Sequence, residues 1–237
     1  MIDFHTHILP GIDDGSHSTE MTKEMLRREA QMGVTHVYAT PHFYAHRSNI
    51  GRFLEKREKS FAKVRDLLAS DSSLPEVITG AEVYYFGGVG KAEMTPELCV
   101  DGTNILLLEM PFDQWTEEVY RDTERLVRER GLSVVLAHVE RYTGFQKDKS
   151  VWERVMGLPV TIQMNAESFL KFGPKRHFCM NLLRQELGRV IIGSDCHNLT
   201  SRAPNLGQAM EYIEKKAGAD TARSIEETEK KLLWQHM

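Results

Sequence analysis

The residues whose chemistry stands out in this sequence fall mostly where apolar runs end. The run "MIDFHTH" closes on His5-Thr6-His7, and "THVYAT" (35–40) leads into Pro41-His42. "EVITGAEVYY" (76–85) contains Glu82, "NILLLEM" (104–110) ends at Glu109, and "LSVVLAHVE" (132–140) delivers His138. "RVIIGSD" (189–195) hands over to Asp195-Cys196-His197, and a loop "DDG" at 13–15 adds Asp13 and Asp14. Imidazoles and carboxylates without thiolates suit borderline or hard divalent ions such as Zn, Mn, Fe, Co or Mg. There are more of them than one tetrahedral ion needs. The set therefore points to two or three ions bridged by a carboxylate. Such centres activate water as hydroxide and clamp both oxygens of a phosphoryl displacement. Arg141, three residues past His138, offers a planar fork suited to phosphate oxygens.

Something must gather these groups. The apolar runs, together with "PVTIQMNAES" (159–168), make seven candidate strands rich in Val, Ile and Leu, as parallel strands buried on both faces are. Amphipathic segments alternate with them: 18–33, 52–70, 115–131, 149–157, 175–188, 205–218 and the tail from 219. Four of these stop at Gly33, Gly131, Gly157 and Gly188, the usual helix C-terminal signal. Strand–helix alternation predicts a parallel α/β fold. No GxGxxG follows the first strand, so a (β/α) barrel is preferred to a doubly wound sheet. In such barrels the C-terminal strand ends share one face, where active sites lie. Five of the ten histidines fall at these ends, while His36, His46, His177 and His236 do not.

The ordered set His5-x-His7, Asp13-Asp14-Gly15, "ATPH" (39–42), "GAE" (80–82), Glu109, "HVERY" (138–142) and "GSDCHN" (193–198) resembles the PHP (polymerase and histidinol phosphatase) superfamily. Within it, the chain is most similar to bacterial metal-dependent protein-tyrosine phosphatases that regulate capsular and exopolysaccharide synthesis. The resemblance spans residues 3–198 and implies a single domain over 1–237, a distorted (β/α)7 TIM-like barrel of the PHP type. It implies three ions, with Mn2+ favoured. One would be held by His5, His7, Glu82 and Asp195, and a second by Glu82, Glu109 and His138. The third would be held by His42, His197 and a carboxylate of the "DDG" loop, Asp14 being chosen over Asp13. Arg141 would bind substrate phosphate, and Arg141, His42 and His197 are the catalytic candidates. The implied substrate is phosphotyrosine on a cognate bacterial tyrosine kinase with a Tyr-rich tail. A small-molecule phosphatase, such as one acting on histidinol phosphate, is the alternative. The stretch "HFYAHRSNIGRF" after His42 matches no fixed family pattern and lies beside the site.

Other readings compete at single positions. Asp14 could be a turn residue, Arg141 could pair with Glu140, and His17 could be an outer ligand or simply solvated at a helix start. Asn165 and Glu167 suit a supporting hydrogen-bond role. "CHNLTSR" (196–202) has the C-x5-R spacing of cysteine-dependent phosphatases, but it lacks a glycine, and Asp195 would raise the thiol pKa.

Composition closes off other classes. The chain has 237 residues, 41% of them hydrophobic, and a net charge of −4. That balance argues against duplex-DNA binding and a polybasic membrane anchor. No apolar run reaches the roughly 18 residues of a membrane span, and no secretory signal is expected. Three cysteines far apart without CxxC suggest a reduced, cytoplasmic protein.

Overall fold

A computed structural model describes residues 1–234; the end of the predicted tail helix, including His236, lies outside the described residues. The strands are β1 (Ile2–Thr6), β2 (His36–Ala39), β3 (His42–Phe43), β4 (Glu76–Thr79), β5 (Glu82–Tyr84), β6 (Ile105–Glu109), β7 (Ser133–Leu136), β8 (Thr161–Asn165) and β9 (Val190–Gly193). The helices are α1 (Thr19–Gln31), α2 (Ile50–Ser70), α3 (Glu117–Arg128), α4 (Ser150–Met156), α5 (Ala166–Leu170), α6 (Pro174–Gln185), α7 (Leu206–Ala217) and α8 (Ala219–Trp234). All strand pairs are parallel, in the orders β1-β2-β4 and β3-β5-β6-β7-β8-β9.

The seven expected strand lines are present, but two of them break. The second divides at Thr40-Pro41 into β2 and β3, and the third at Gly80-Ala81 into β4 and β5. Pro41 has no N–H to give a ladder. Backbone bonds nevertheless carry across the gap: Thr40 N–H donates to Thr6 O (2.8 Å), Gly80 N–H to Ala39 O (2.9 Å) and Glu82 N–H to Pro41 O (3.1 Å). At the other seam β9 returns to β1, where Asp195 N–H donates to His5 O (2.8 Å) and His7 N–H to Cys196 O (2.9 Å). The fold is a mixed α/β one of parallel sheets whose two ends meet.

Alternation sorts the apolar residues into two layers. Ile2, Phe4, Tyr38, Ile105, Leu107, Val135 and Ile191 form one core, joined by Leu232 and Leu233 of α8. Their neighbours Leu106, Leu108, Val134, Leu136, Val190 and Ile192 face the helices, with Met25 and Leu26 of α1 and Val119 and Leu126 of α3. α8 sits against the start of β1, where Glu229 Oε2 accepts from Ile2 N–H at 3.2 Å. Among the described residues no helix is long and apolar enough to cross a membrane.

Two predicted strands run too far. The fifth ends at Leu136 because His138 takes a left-handed backbone (φ +30°), followed by a 3-10 turn over Val139–Arg141. The sixth ends at Asn165, and "AESFL" turns into α5.

Candidate metal centre

The site begins with a bulge. The β1–β2 register shifts between Asp3 and Thr6, which re-aims the strand end, as bulges do. His5 and His7, two residues apart, bring their Nε2 atoms within 3.2 Å of each other. Each ring is held from behind through Nδ1, His5 by Gln163 Oε1 (3.1 Å) and His7 by Asp13 Oδ2 (2.7 Å). With Nδ1–H donating, Nε2 keeps its lone pair for the site interior. Two glycines permit this approach. A Cβ on Gly15 would stand 2.1 Å from His7 O, and one on Gly193 would stand 2.8 Å from His5 Cβ.

Glu82, fully buried at the start of β5, is the hub. Its Oε1 lies 3.3 Å from His5 Nε2 and 2.8 Å from His138 Nε2; its Oε2 lies 3.3 Å from His7 Nε2 and 2.8 Å from His42 Nδ1. Glu109 Oε1 is 3.6 Å from His138 Nε2, whose other ring nitrogen meets Tyr142 OH at 3.1 Å. Asp195 Oδ1 lies 3.6 Å from His5 Nε2 and 3.4 Å from His7 Nε2. Asp14 Oδ1 faces His42 Nε2 at 3.4 Å and His197 Nε2 at 3.5 Å. Three sets have donor atoms close enough to share an ion: His7, Asp14, His42 and His197; His5, His7 and Asp195; and His42, Glu82 and Glu109. All nine expected ligands meet here. The donor sets overlap, since His7 and His42 each stand in two of them, and His138 reaches Glu82 and Glu109 from outside them.

The donors fit divalent cations. Glu109 Oε2 and His197 Nε2 are buried without a hydrogen-bond partner, and Glu82 Oε2 and His42 Nδ1, though 2.8 Å apart, are not aligned for a hydrogen bond, a condition folded proteins rarely tolerate. Cations held in the two donor sets that contain these residues would satisfy them. His138 and Asp195 are also the two non-glycine residues with positive φ (+30° and +52°) among those described. Strain of this kind concentrates at functional sites.

The electrostatics show a site under tension. Burial and then the charge of Glu82 lift the Glu109 carboxyl to about 8, against Arg141. Burial pulls the His138 imidazole down to about 4, and burial with the His7 charge takes His197 to about 3. For His7 burial acts downward, but the Asp13 charge and hydrogen bond overcome it and hold the ring well above its ordinary value. Burial opposes the Asp195 charge, yet His5, His7 and Arg141 keep its carboxyl well below the usual range.

Two guanidiniums flank that carboxylate. Arg141 Nη2 donates to Asp195 Oδ2 at 2.6 Å, and Arg202 Nη2 donates to Oδ1 at 2.7 Å. Arg141 does not pair with Glu140, which is buried and accepts from Ser168 Oγ (2.8 Å) and Asn165 N–H (3.2 Å). Asn165 Nδ2 donates to Asp195 Oδ2 at 2.7 Å, whereas Glu167 pairs with Lys171 and His17 stays outside the donor sets. Cys196 is fully buried, and burial followed by the charges of Glu29 and Asp3 pushes its thiol well up.

Several residues escaped the sequence reading. Arg202 was visible only as the end of the C-x5-R spacing; the turn that aims it is built on Asn198, whose Oδ1 accepts from Thr200 N–H (2.9 Å) and Arg202 N–H (3.0 Å), with His197 N–H donating to Arg202 O at 2.8 Å. Gln163 ties His5 Nδ1 to His138 N–H through one Oε1, and nothing short-range marks it. Phe112 stacks near His138 (6.2 Å between centroids) and touches Phe145 (5.9 Å), forming a half-exposed aromatic lip.

Comparison with known proteins agrees with this architecture. The family model described as "Capsular polysaccharide synthesis, CpsB/CapC" matches residues 1–233. Tyrosine-protein phosphatase CpsB of Streptococcus pneumoniae is 28% identical over 235 residues, covering 95% of this chain and 94% of its own. Tyrosine-protein phosphatase YwqE of Bacillus subtilis is 27% identical, covering 98% and 91%. A chain from the crystal structures of YwqE from B. subtilis and CpsB from S. pneumoniae, described as unique metal-dependent tyrosine phosphatases, superposes with a TM-score of 0.85. It is 24% identical and covers 100% of this chain and 96% of its own. The fold also extends to a chain of archaeal ribonuclease P with mature tRNA (TM-score 0.59, 14% identity, covering 98% and 89%). This chain belongs to the CpsB/CapC family of capsular polysaccharide synthesis proteins.

Proposed function

We propose that this chain is a metal-dependent protein-tyrosine phosphatase that acts on a bacterial tyrosine kinase governing capsular or exopolysaccharide synthesis. The observation that carries this reading is the junction at Asp195. One carboxylate there joins a buried imidazole–carboxylate cluster to two guanidiniums that are 30% and 32% exposed. Family membership and the names of the relatives support the substrate class.

Three ions, Mn2+ in preference to Fe, Zn, Co or Mg, would be held by His5, His7, Glu82 and Asp195; by Glu82, Glu109 and His138; and by Asp14, His42 and His197. When bound, divalent ions supply Lewis acidity, activating water as nucleophile at neutral pH and drawing charge from phosphoryl oxygens. The chain's own groups do the rest. Gln163, Asp13 and Tyr142 fix the orientation of His5, His7 and His138. Asp195 engages one Nη2 of each arginine, which leaves the other donors of both forks for phosphate oxygens. Charge that develops on those oxygens is thereby met by fixed cations rather than by reorganising water. The aromatic lip of Phe112 and Phe145 offers faces to a phenyl ring. Tyrosine leaves as a phenolate of pKa near 10, so a dedicated general acid is not required. The three buried, unpaired thiols suit a reducing cytoplasm.

Comparing kcat/KM on a phosphotyrosyl peptide with that on histidinol phosphate tests the assignment. A preference for the peptide supports it; a clear preference for histidinol phosphate replaces it with the small-molecule reading.

A further inference from the structure

The stretch that follows His42 lies beside the metal centre without belonging to it. Its residues line a cavity of about 500 Å3 that opens next to Asp14 and His42. The Tyr44 ring stands 5.2 Å from the His42 ring, and the Arg47 guanidinium lies 4.6 Å from the Tyr44 centroid. Across the cavity Lys56 projects from the second turn of α2. Arg47 and Lys56 are exposed, and neither makes an ion pair with a carboxylate of the described residues. The start of α2 adds to the same field. Its first turn carries no acidic residue, and Asn49, which caps it by accepting from Arg52 N–H at 2.9 Å, is neutral. The partial positive charge of a 21-residue helix is thus left uncompensated beside the cavity. The acidic groups on the wall are Asp13 and Asp14. Asp13 is engaged by His7, Gly15 and His42 N–H, and Asp14 faces two imidazoles.

We propose that this cavity is an anion subsite that receives an acidic group carried on a residue flanking the phosphotyrosine. The inference rests on the phosphotyrosyl-protein reading and adds to it the charge of the preferred sequence. Stacking on Tyr44 holds Arg47 in place and so reduces the entropy lost when its fork engages a partner. An extended peptide advances about 3.5 Å per residue, which puts a side chain within three positions of the phosphotyrosine in reach. A carboxylate and a second phosphoryl group share the required chemistry.

The test uses the metal-loaded full chain and one phosphotyrosyl peptide scaffold. The flanking position, within three residues, carries glutamine, glutamate or a non-hydrolysable phosphotyrosine mimic, and p-nitrophenyl phosphate serves as a flank-free substrate. The subsite predicts that kcat/KM for either or both anionic peptides exceeds the glutamine peptide by about tenfold at low salt, with near parity at about 0.5 M salt. The more strongly favoured anion identifies the source. The Arg47→Glu/Lys56→Glu variant is expected to lose or invert the preference while p-nitrophenyl phosphate turnover stays within about twofold of the original. Equal kcat/KM for all three peptides, or a preference that survives the double charge reversal, overturns the subsite alone. Absence of turnover on the glutamine peptide and on p-nitrophenyl phosphate overturns the phosphatase reading and the subsite together.

Discussion

Asp13 holds His7 from behind, its Oδ2 2.7 Å from Nδ1, while the adjacent Asp14 turns its Oδ1 toward His42 and His197 at 3.4 and 3.5 Å. Two neighbouring carboxylates of one loop thus face different rings of the same cluster. Gly15 makes the arrangement possible by letting the loop lie against the His7 carbonyl.

The two aspartates are therefore expected to fail differently. Asp13→Asn should weaken metal affinity on the order of 10–100-fold, as loss of an orienting carboxylate does, yet fill fully at excess metal. Asp14→Ala should bind one ion fewer at saturation. Metal content per chain across a Mn2+ titration distinguishes these outcomes, and the opposite pattern would exchange the roles.

Arg141→Ala and Arg202→Ala should each reduce kcat/KM on a phosphotyrosyl peptide on the order of 10–100-fold, mainly through KM. Both contact Asp195, so the double variant should lose less than the product of the two single effects. Steady-state rates at saturating metal check this. Full activity in Arg141→Ala would contradict its role in binding the substrate phosphate.

Strand ends were legible because their chemistry is local. Glu82, Glu109, His138 and Asp195 each lie within or at the end of an apolar run, and an unpaired charge there is too costly to be incidental. The parallel layers followed from the same runs. What sequence could not show depends on long-range contacts. The breaks at Pro41 and Gly80 arise where neighbouring strands supply the missing ladder bonds. The left-handed turn at His138 is held by Gln163, 25 residues away. Arg202 points at Asp195 through a turn without glycine; its C-x5-R spacing could be set aside as cysteine chemistry, but the spacing did not reveal its place beside Asp195. The early stop of β8 has a local cue in "AESFL", which follows the apolar alternation directly and turns into α5.

Cys196→Ser should retain phosphatase activity within about threefold, since a buried thiol held in its protonated form is a poor nucleophile. Rates of the variant with and without EDTA provide the check. A thiol mechanism predicts an inactive serine variant and indifference to EDTA.

Glu229 should make stability depend on pH. Burial, only partly offset by the Ile2 N–H hydrogen bond and the N-terminal charge, raises its carboxyl to about 8. The folded chain keeps a proton that the unfolded chain releases above its ordinary value of 4.5. This contribution to stability is complete below about 4.5 and is lost as pH rises through about 8. The loss is on the order of a few kcal/mol. Urea denaturation between pH 5 and 9 should show the decline in the parent chain and a flatter profile in Glu229→Gln. Parallel profiles would contradict the assignment.

The most direct test of the account is phosphate release from a phosphotyrosyl peptide by one preparation, measured as isolated, after exhaustive chelation, and after titration with Mn2+ while bound metal is counted. The account predicts that activity falls at least about 100-fold on chelation and returns only as more than one ion per chain is restored. Undiminished release from the metal-free chain, or full activity with a single ion bound, would contradict it.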